Sequence, residues 1–179
     1  MLQDIKEILF SEEVINAKTK ELAGRISSDY KGKDLLVVGV LKGSVIFAAD
    51  LIKNISIPCE IDFMAVSSYG SSSETTGVVR ILKDLDSEIS GKHILIVEDI
   101  VDSGVTLSYL LNYLKTRNAS SVEIASLLTK PSRRKVDIDC KYVGFETPDE
   151  FLVGYGLDYA EKYRNLPFIG ILKREVYEK

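Results

Sequence analysis

Cysteine and histidine are scarce in this chain of 179 residues, with two of the former and one of the latter. Cys59 and Cys140 stand far apart in no metal-ligand spacing, which argues against a structural zinc site and a disulfide framework. Each borders a strand-like stretch and reads as a small core filler. The single histidine, His93, heads an apolar stretch at the end away from the polar motif described below, so its expected role is structural. No apolar run reaches the roughly 18–20 residues of a membrane span. The opening MLQDIKEILFSEEV carries acids and lacks the basic stretch and apolar core of a signal peptide, so the expected location is cytoplasmic. Basic residues show no excess: 23 Lys and Arg stand against 27 Asp and Glu, a formal charge of −4. That balance argues against a nucleic-acid partner. The one dense basic spot, Arg133–Arg134–Lys135, is short and reads as a solvated loop. There is no internal repeat.

What is present is an ordinary globular composition, 45% hydrophobic and 28% charged, in a length that suits one domain. Ser11 followed by Glu12 and Glu13 reads as a helix N-cap with carboxylates in the first turn. Val14, Ile15, Ala17, Leu22, Ala23 and Ile26 follow at helical spacing. LLVVGV (35–40) and HILIVED (93–99) are apolar on both faces, the pattern of strands buried inside a parallel sheet. Further strands are expected over 59–70, 78–84, 121–128, 141–145 and 152–155, and helices over 45–52 and 106–116. The stretch 67–77 holds five Ser and two Thr among eleven residues and reads as a long mobile loop. The alternation predicts an α/β fold with a mainly parallel twisted sheet flanked by helices. A single domain over 1–179 is expected, with a core of about 11–145 and a small hood of about 146–168 that the N-terminal segment could join.

The chemistry concentrates in ILIVEDIVDSGVTL, residues 94–107. An apolar strand ends in the adjacent acids Glu98 and Asp99, and a loop of Asp102, Ser103, Gly104, Val105 and Thr106 opens a helix. Ligands of open α/β sheets bind at the carboxyl ends of strands. The loop offers backbone N–H groups, hydroxyls and a helix N-terminus to a phosphate dianion. Two acids beside a phosphate make sense if they accept hydrogen bonds from sugar hydroxyls or hold Mg²⁺. The whole string therefore reads as a site for a phosphorylated sugar. Asp99 alone could equally cap a solvated strand-to-helix turn.

The string resembles the phosphoribosyl pyrophosphate signature of the type I phosphoribosyltransferases. Over nearly the whole chain the sequence is similar to the hypoxanthine-guanine phosphoribosyltransferase family. That resemblance implies a pyrophosphate loop at Leu41–Ser44, with Lys42, Gly43 and a cis Leu41–Lys42 peptide, and a second pyrophosphate ligand in Arg164. It implies a closing loop that includes Ser68 and Tyr69. It implies a purine site in which Lys130 donates to the 6-oxo group, Phe151 stacks on the base, Leu152 offers backbone hydrogen bonds and Asp158 lies at the exocyclic edge. It implies metal contacts from Glu98, Asp99 and Asp158, and a homodimer or homotetramer, for which Ile46, Phe47 and Leu51 offer an apolar face. Read singly, Lys130 suits a surface strand end, Phe151 a core position, and the Ser-rich stretch an ordinary surface loop.

The activity so implied is transfer of a phosphoribosyl group to hypoxanthine or guanine, with xanthine a poor substrate and Asp102 the general base. A phosphoribosyltransferase-fold regulator of RNA would need a basic face, against which the net charge speaks. An enzyme for adenine would set the Lys130 donor against a donor amino group, and orotate is the other rival.

Overall fold

Strands that are apolar on both faces need a packing layer on each side, and the chain supplies both. A computed structural model describes residues 1–68 and 79–178. In chain order it contains β1 (Ile5–Phe10), α1 (Glu12–Asp29), β2 (Leu35–Leu41), α2 (Val45–Asn54), β3 (Glu60–Ser68), β4 (Val79–Lys83) and β5 (His93–Val101). There follow α3 (Val105–Lys115), β6 (Ser121–Thr129), β7 (Tyr142–Glu146), β8 (Leu152–Val153), β9 (Ile169–Leu172) and a single-turn α4 (Arg174–Tyr177). Six strands form the main sheet in the order β4-β3-β2-β5-β6-β7, parallel except where β4 pairs antiparallel with β3. This is the expected α/β fold with a mainly parallel sheet flanked by helices.

Successive side chains of a strand point to opposite faces, and β2 and β5 use both. Leu35, Val37, Leu95 and Val97 join Ile15, Leu22, Ile26, Phe47 and Leu51 of α1 and α2 in one core. Leu36, Val38, Val40, Ile94 and Ile96 join Leu107, Leu110 and Leu114 of α3 in the other. From β2 the chain moves to β3 on one side, while β5 lies on the other, so the strand order reverses direction between β2 and β5. That reversal opens a crevice at the carboxyl ends of these two strands. A second sheet, β1-β9-β8, is antiparallel and joins the two ends of the chain, with Ile5 opposite Leu172.

Three expectations need correction. On α1, Val14 is 46% exposed and Ala17 also faces outward, whereas Thr19 is buried, its hydroxyl donating to the Ile15 carbonyl (2.9 Å). The inner face is rotated because α2 packs on it, and an i−4 carbonyl satisfies the threonine. Ser67 and Ser68, which fall in both the expected strand 59–70 and the expected loop 67–77, belong to β3, paired with Arg80 and Val79; Tyr69 and the rest of the Ser-rich stretch lie outside the described residues. Phe47 and Leu51 are fully buried inside the chain, so they cannot serve an interface with a second copy. The sequence reading also placed no strand at β1 or β9. Ser11 does cap α1, accepting from Val14 N.

The burial of Phe47 carries a direct expectation. Phe47→Ala should cost about 3–5 kcal/mol through lost transfer energy and a residual cavity. Ile61→Ala, at a side chain 51% exposed, should stay within about 0.5 kcal/mol. Urea unfolding followed by circular dichroism checks both, and equal midpoints would contradict the assignment of Phe47 to the core.

Candidate active site

The crevice between β2 and β5 is closed underneath by backbone. Gly43, just past β2, is wedged between Asp99 and Gly156. A β-carbon built on Gly43 would lie 1.8 Å from Asp99 Oδ2, and one built on Gly156 would lie 2.0 Å from the Gly43 carbonyl oxygen. Any side chain at Gly43 would push the acid away. The Leu41–Lys42 peptide is cis, as the resemblance implied.

Above this contact lies a cavity of about 250 Å³ lined by Leu41, Gly43, Glu98, Asp99, Asp102, Ser103, Gly104 and Thr106, among others. Gly104 is the N-cap of α3 at φ 85°, a left-handed conformation that glycine adopts without a steric penalty. The Ser103 carbonyl accepts from Lys135 N (2.9 Å) and Val136 N (3.2 Å), which ties the loop to the segment after β6. Val105 N lies 3.4 Å from Ser103 Oγ, so the valine amide turns inward on the loop. Ser103, Thr106 and the N-terminus of α3 at Gly104 thus border one concave space, a setting suited to a phosphate.

Glu98 is buried, and desolvation followed by the neighbouring Asp99 charge pushes its carboxyl well above the usual range. Burial raises Asp99 as well. Such a pair is stabilised by anything that neutralises or hydrogen-bonds it, a divalent cation or a diol alike. Among the described residues no group of three His, Cys, Asp or Glu could hold a metal, so Glu98, Asp99 and Asp158 do not form one cage. An ion held by two carboxylates and completed by substrate oxygens and water fits this donor set.

A second cavity, about 200 Å³, is lined by Ile100, Asp102, Lys130, Arg133, Phe151, Leu152, Leu157 and Asp158. It contains all four residues expected to contact a purine, and it shares Ile100 and Asp102 with the first cavity. Asp102 Oδ1 is buried and has no hydrogen-bond partner among the described residues, and Oδ2 lies 3.4 Å from Arg133 Nη1. Lys130 is buried, donates to the Glu150 carbonyl at 2.7 Å, and has its pKa lowered by that burial. Phe151 is partly exposed rather than core, with Tyr177 stacked on one face at 4.9 Å and 29° and Tyr159 edge-on at 5.5 Å.

Arg164 and Lys42 are not among the residues lining either cavity and are joined through Glu161. Arg164 pairs with Asp158 (2.9 Å) and donates to the Gly156 carbonyl (2.7 Å), while Lys42 pairs with Glu161 (3.0 Å). Ser68 closes β3, and Tyr69 lies outside the described residues. His93 sits at the opposite end of β5, with Nδ1 2.8 Å from Ser121 Oγ.

Sequence reasoning missed three neighbours of the site. Arg133, read as part of a solvated loop, bridges Asp102 and Asp149 (3.4 and 2.7 Å). Glu161 and Tyr177 drew no attention, because Lys42 and Phe151, which they meet, are distant in the chain and no local pattern marks them.

The phosphoribosyl transferase domain profile matches residues 7–160. The chain is 56% identical over 178 residues to the hypoxanthine-guanine phosphoribosyltransferase of Bacillus subtilis strain 168, covering 99% of each. It is 56% identical over 179 residues, the full length of both, to the Staphylococcus epidermidis protein of the same name. A crystal structure of a hypoxanthine phosphoribosyltransferase from Staphylococcus aureus superposes with a TM-score of 0.98 at 54% identity, covering 100% of this chain and 97% of that one. With fold, motif positions and end-to-end similarity in agreement, the chain belongs to the hypoxanthine-guanine phosphoribosyltransferases of the phosphoribosyl transferase domain family.

Proposed function

We propose that this protein transfers the 5-phosphoribosyl group of phosphoribosyl pyrophosphate to hypoxanthine or guanine, giving IMP or GMP and pyrophosphate in purine salvage. One observation carries the reading: Asp102 stands where the phosphate-loop cavity and the Lys130–Phe151 cavity meet, with a buried carboxylate oxygen that has no partner among the described residues. A group at that junction lies between a sugar phosphate and a base.

The 5-phosphate takes the loop from Asp102 to Thr106, and Glu98 and Asp99 accept hydrogen bonds from the ribose hydroxyls. Lys42, the Gly43 amide and Arg164 receive the pyrophosphate. Glu98 and Asp99 would hold Mg²⁺, with Asp158 meeting one of its waters, and the ion when bound neutralises charge on the leaving group. The purine lies against the face of Phe151 away from Tyr177, with Lys130 donating to its 6-oxo group and Leu152 offering backbone hydrogen bonds. As the base bonds to C1 of the ribosyl group and pyrophosphate departs, Asp102 takes the proton lost from the imidazole ring of the purine. In this reading the 146–168 stretch acts as a hood carrying the purine subsite, and the protein works in the cytoplasm as a homodimer or homotetramer.

Three outcomes follow. Incubation with phosphoribosyl pyrophosphate, Mg²⁺ and each of five radiolabelled nucleobases should convert hypoxanthine and guanine, leaving adenine and orotate untouched; conversion of neither purine would defeat the proposal. Asp102→Asn keeps the side-chain shape and removes the base, so kcat should fall about 10²–10⁴-fold while phosphoribosyl pyrophosphate affinity persists. Steady-state kinetics that match the parent would remove Asp102 from this role. For Glu98 the folded pKa lies above the ordinary 4.5, so the native state binds the extra proton and stability falls as pH rises from about 4.5. Glu98→Gln should flatten that slope and raise the urea midpoint at neutral pH while lowering turnover.

A further inference from the structure

Lys42 and Arg164 come from distant parts of the chain, and one side chain joins them. Glu161 Oε2 accepts from Lys42 Nζ at 3.0 Å, and its Oε1 lies 3.4 Å from Arg164 Nη2. Each oxygen of one carboxylate thus serves a different cation. The carboxylate is held in place from behind. The Glu161 N–H donates to Asp158 Oδ2 (2.9 Å), and Asp158 Oδ1 meets the same Arg164 nitrogen at 2.9 Å. The backbone is left-handed at both Ala160 and Glu161, φ 51° and 62°, a conformation uncommon for residues other than glycine. The turn therefore presents Glu161 to the two cations by its shape. The Lys42 and Glu161 side chains remain 68% and 65% exposed, so this ion pair is one that water and salt weaken.

A carboxylate that spans two cations has the charge sign and the paired oxygens of a phosphate group. Resting on the reading of Lys42 and Arg164 as pyrophosphate ligands, we propose that Glu161 is an internal competitor for the pyrophosphate subsite. It neutralises both cations, is displaced when pyrophosphate or a pyrophosphate ester binds, and returns as pyrophosphate leaves. Arg164 need not reorient in this exchange, because Asp158 and the Gly156 carbonyl hold the guanidinium independently (2.9 and 2.7 Å). Lys42 has no comparable second anchor among the described residues, and its flexible stem makes it the mobile partner. Glu161 so placed lowers the affinity for pyrophosphate and speeds product release, at some loss of affinity for phosphoribosyl pyrophosphate.

Titration calorimetry with pyrophosphate and Mg²⁺ tests this on four proteins: the parent chain, Glu161→Gln, Lys42→Ala and the double variant. Glu161→Gln should bind pyrophosphate about three- to tenfold more tightly, from the loss of two exposed ion pairs that the ligand must break. Its KM for phosphoribosyl pyrophosphate should fall in the same direction, and pyrophosphate should become a stronger product inhibitor. Lys42→Ala should bind several-fold more weakly, and the double variant should recover less than the full gain. Unchanged or weaker binding by Glu161→Gln, with Lys42→Ala weakened as expected, would overturn the competitor role and leave the site reading intact. A gain retained in full in the double variant would likewise overturn it. Pyrophosphate binding indifferent to Lys42→Ala would remove the site reading, and the competitor role with it.

Discussion

The contact of the Gly43 backbone with the Asp99 carboxylate is the constraint on which the site depends. It joins the end of one buried strand to the end of its neighbour at the place where the sheet changes direction. Through Gly156 it also fixes where the third segment of the site, the stretch bearing Asp158 and Arg164, can approach. Three pieces of chain that are remote in sequence are brought within van der Waals reach by removing one β-carbon from each of two residues. The phosphate loop, the acid pair and the cations take their relative positions from that meeting.

Burial then decides the electrostatics. The sheet holds Glu98 away from water beside a second acid, which costs stability at neutral pH and leaves the pair ready to accept hydroxyl hydrogens or a cation. On the opposite wall Lys130 is similarly desolvated, so that its ammonium gains from an acceptor presented to it. Both groups are poorly solvated by the protein alone, and ligand atoms supply what water no longer does. In the proposed function the ribose hydroxyls meet the acids, and the purine carbonyl meets Lys130, by the same physical means.

Much of this arrangement was legible in the sequence where local chemistry and local structure coincide. The apolar runs of β2 and β5 announced strands buried on both sides, and the loop from Asp102 to Thr106 follows its strand directly, so motif and geometry could be read together. The purine-site residues could not be placed by periodicity. Phe151 and Lys130 became specific only through resemblance, because each taken alone suits a bland position. What stayed hidden is tertiary. The strands β1 and β9 are short and need each other, Thr19 is buried because α2 covers it, and Glu161 meets Lys42 across 119 positions of chain. Arg133 looked like surface charge because nothing in its neighbourhood reveals that Asp102 lies opposite.

The small sheet carries a consequence for how the molecule is made. Phe151 and Leu152 are tethered to β9, with Leu172 N donating to the Phe151 carbonyl at 2.8 Å, and β9 in turn pairs with β1 at the other end of the polypeptide. During synthesis the large sheet has every strand it requires once β7 has emerged. The wall proposed for the nucleobase does not, because its ladder waits for β9 to be made and to find β1. A chain that stops short of β9 therefore holds the acid pair and the loop from Asp102 to Thr106 while lacking the ordered surface proposed for the base.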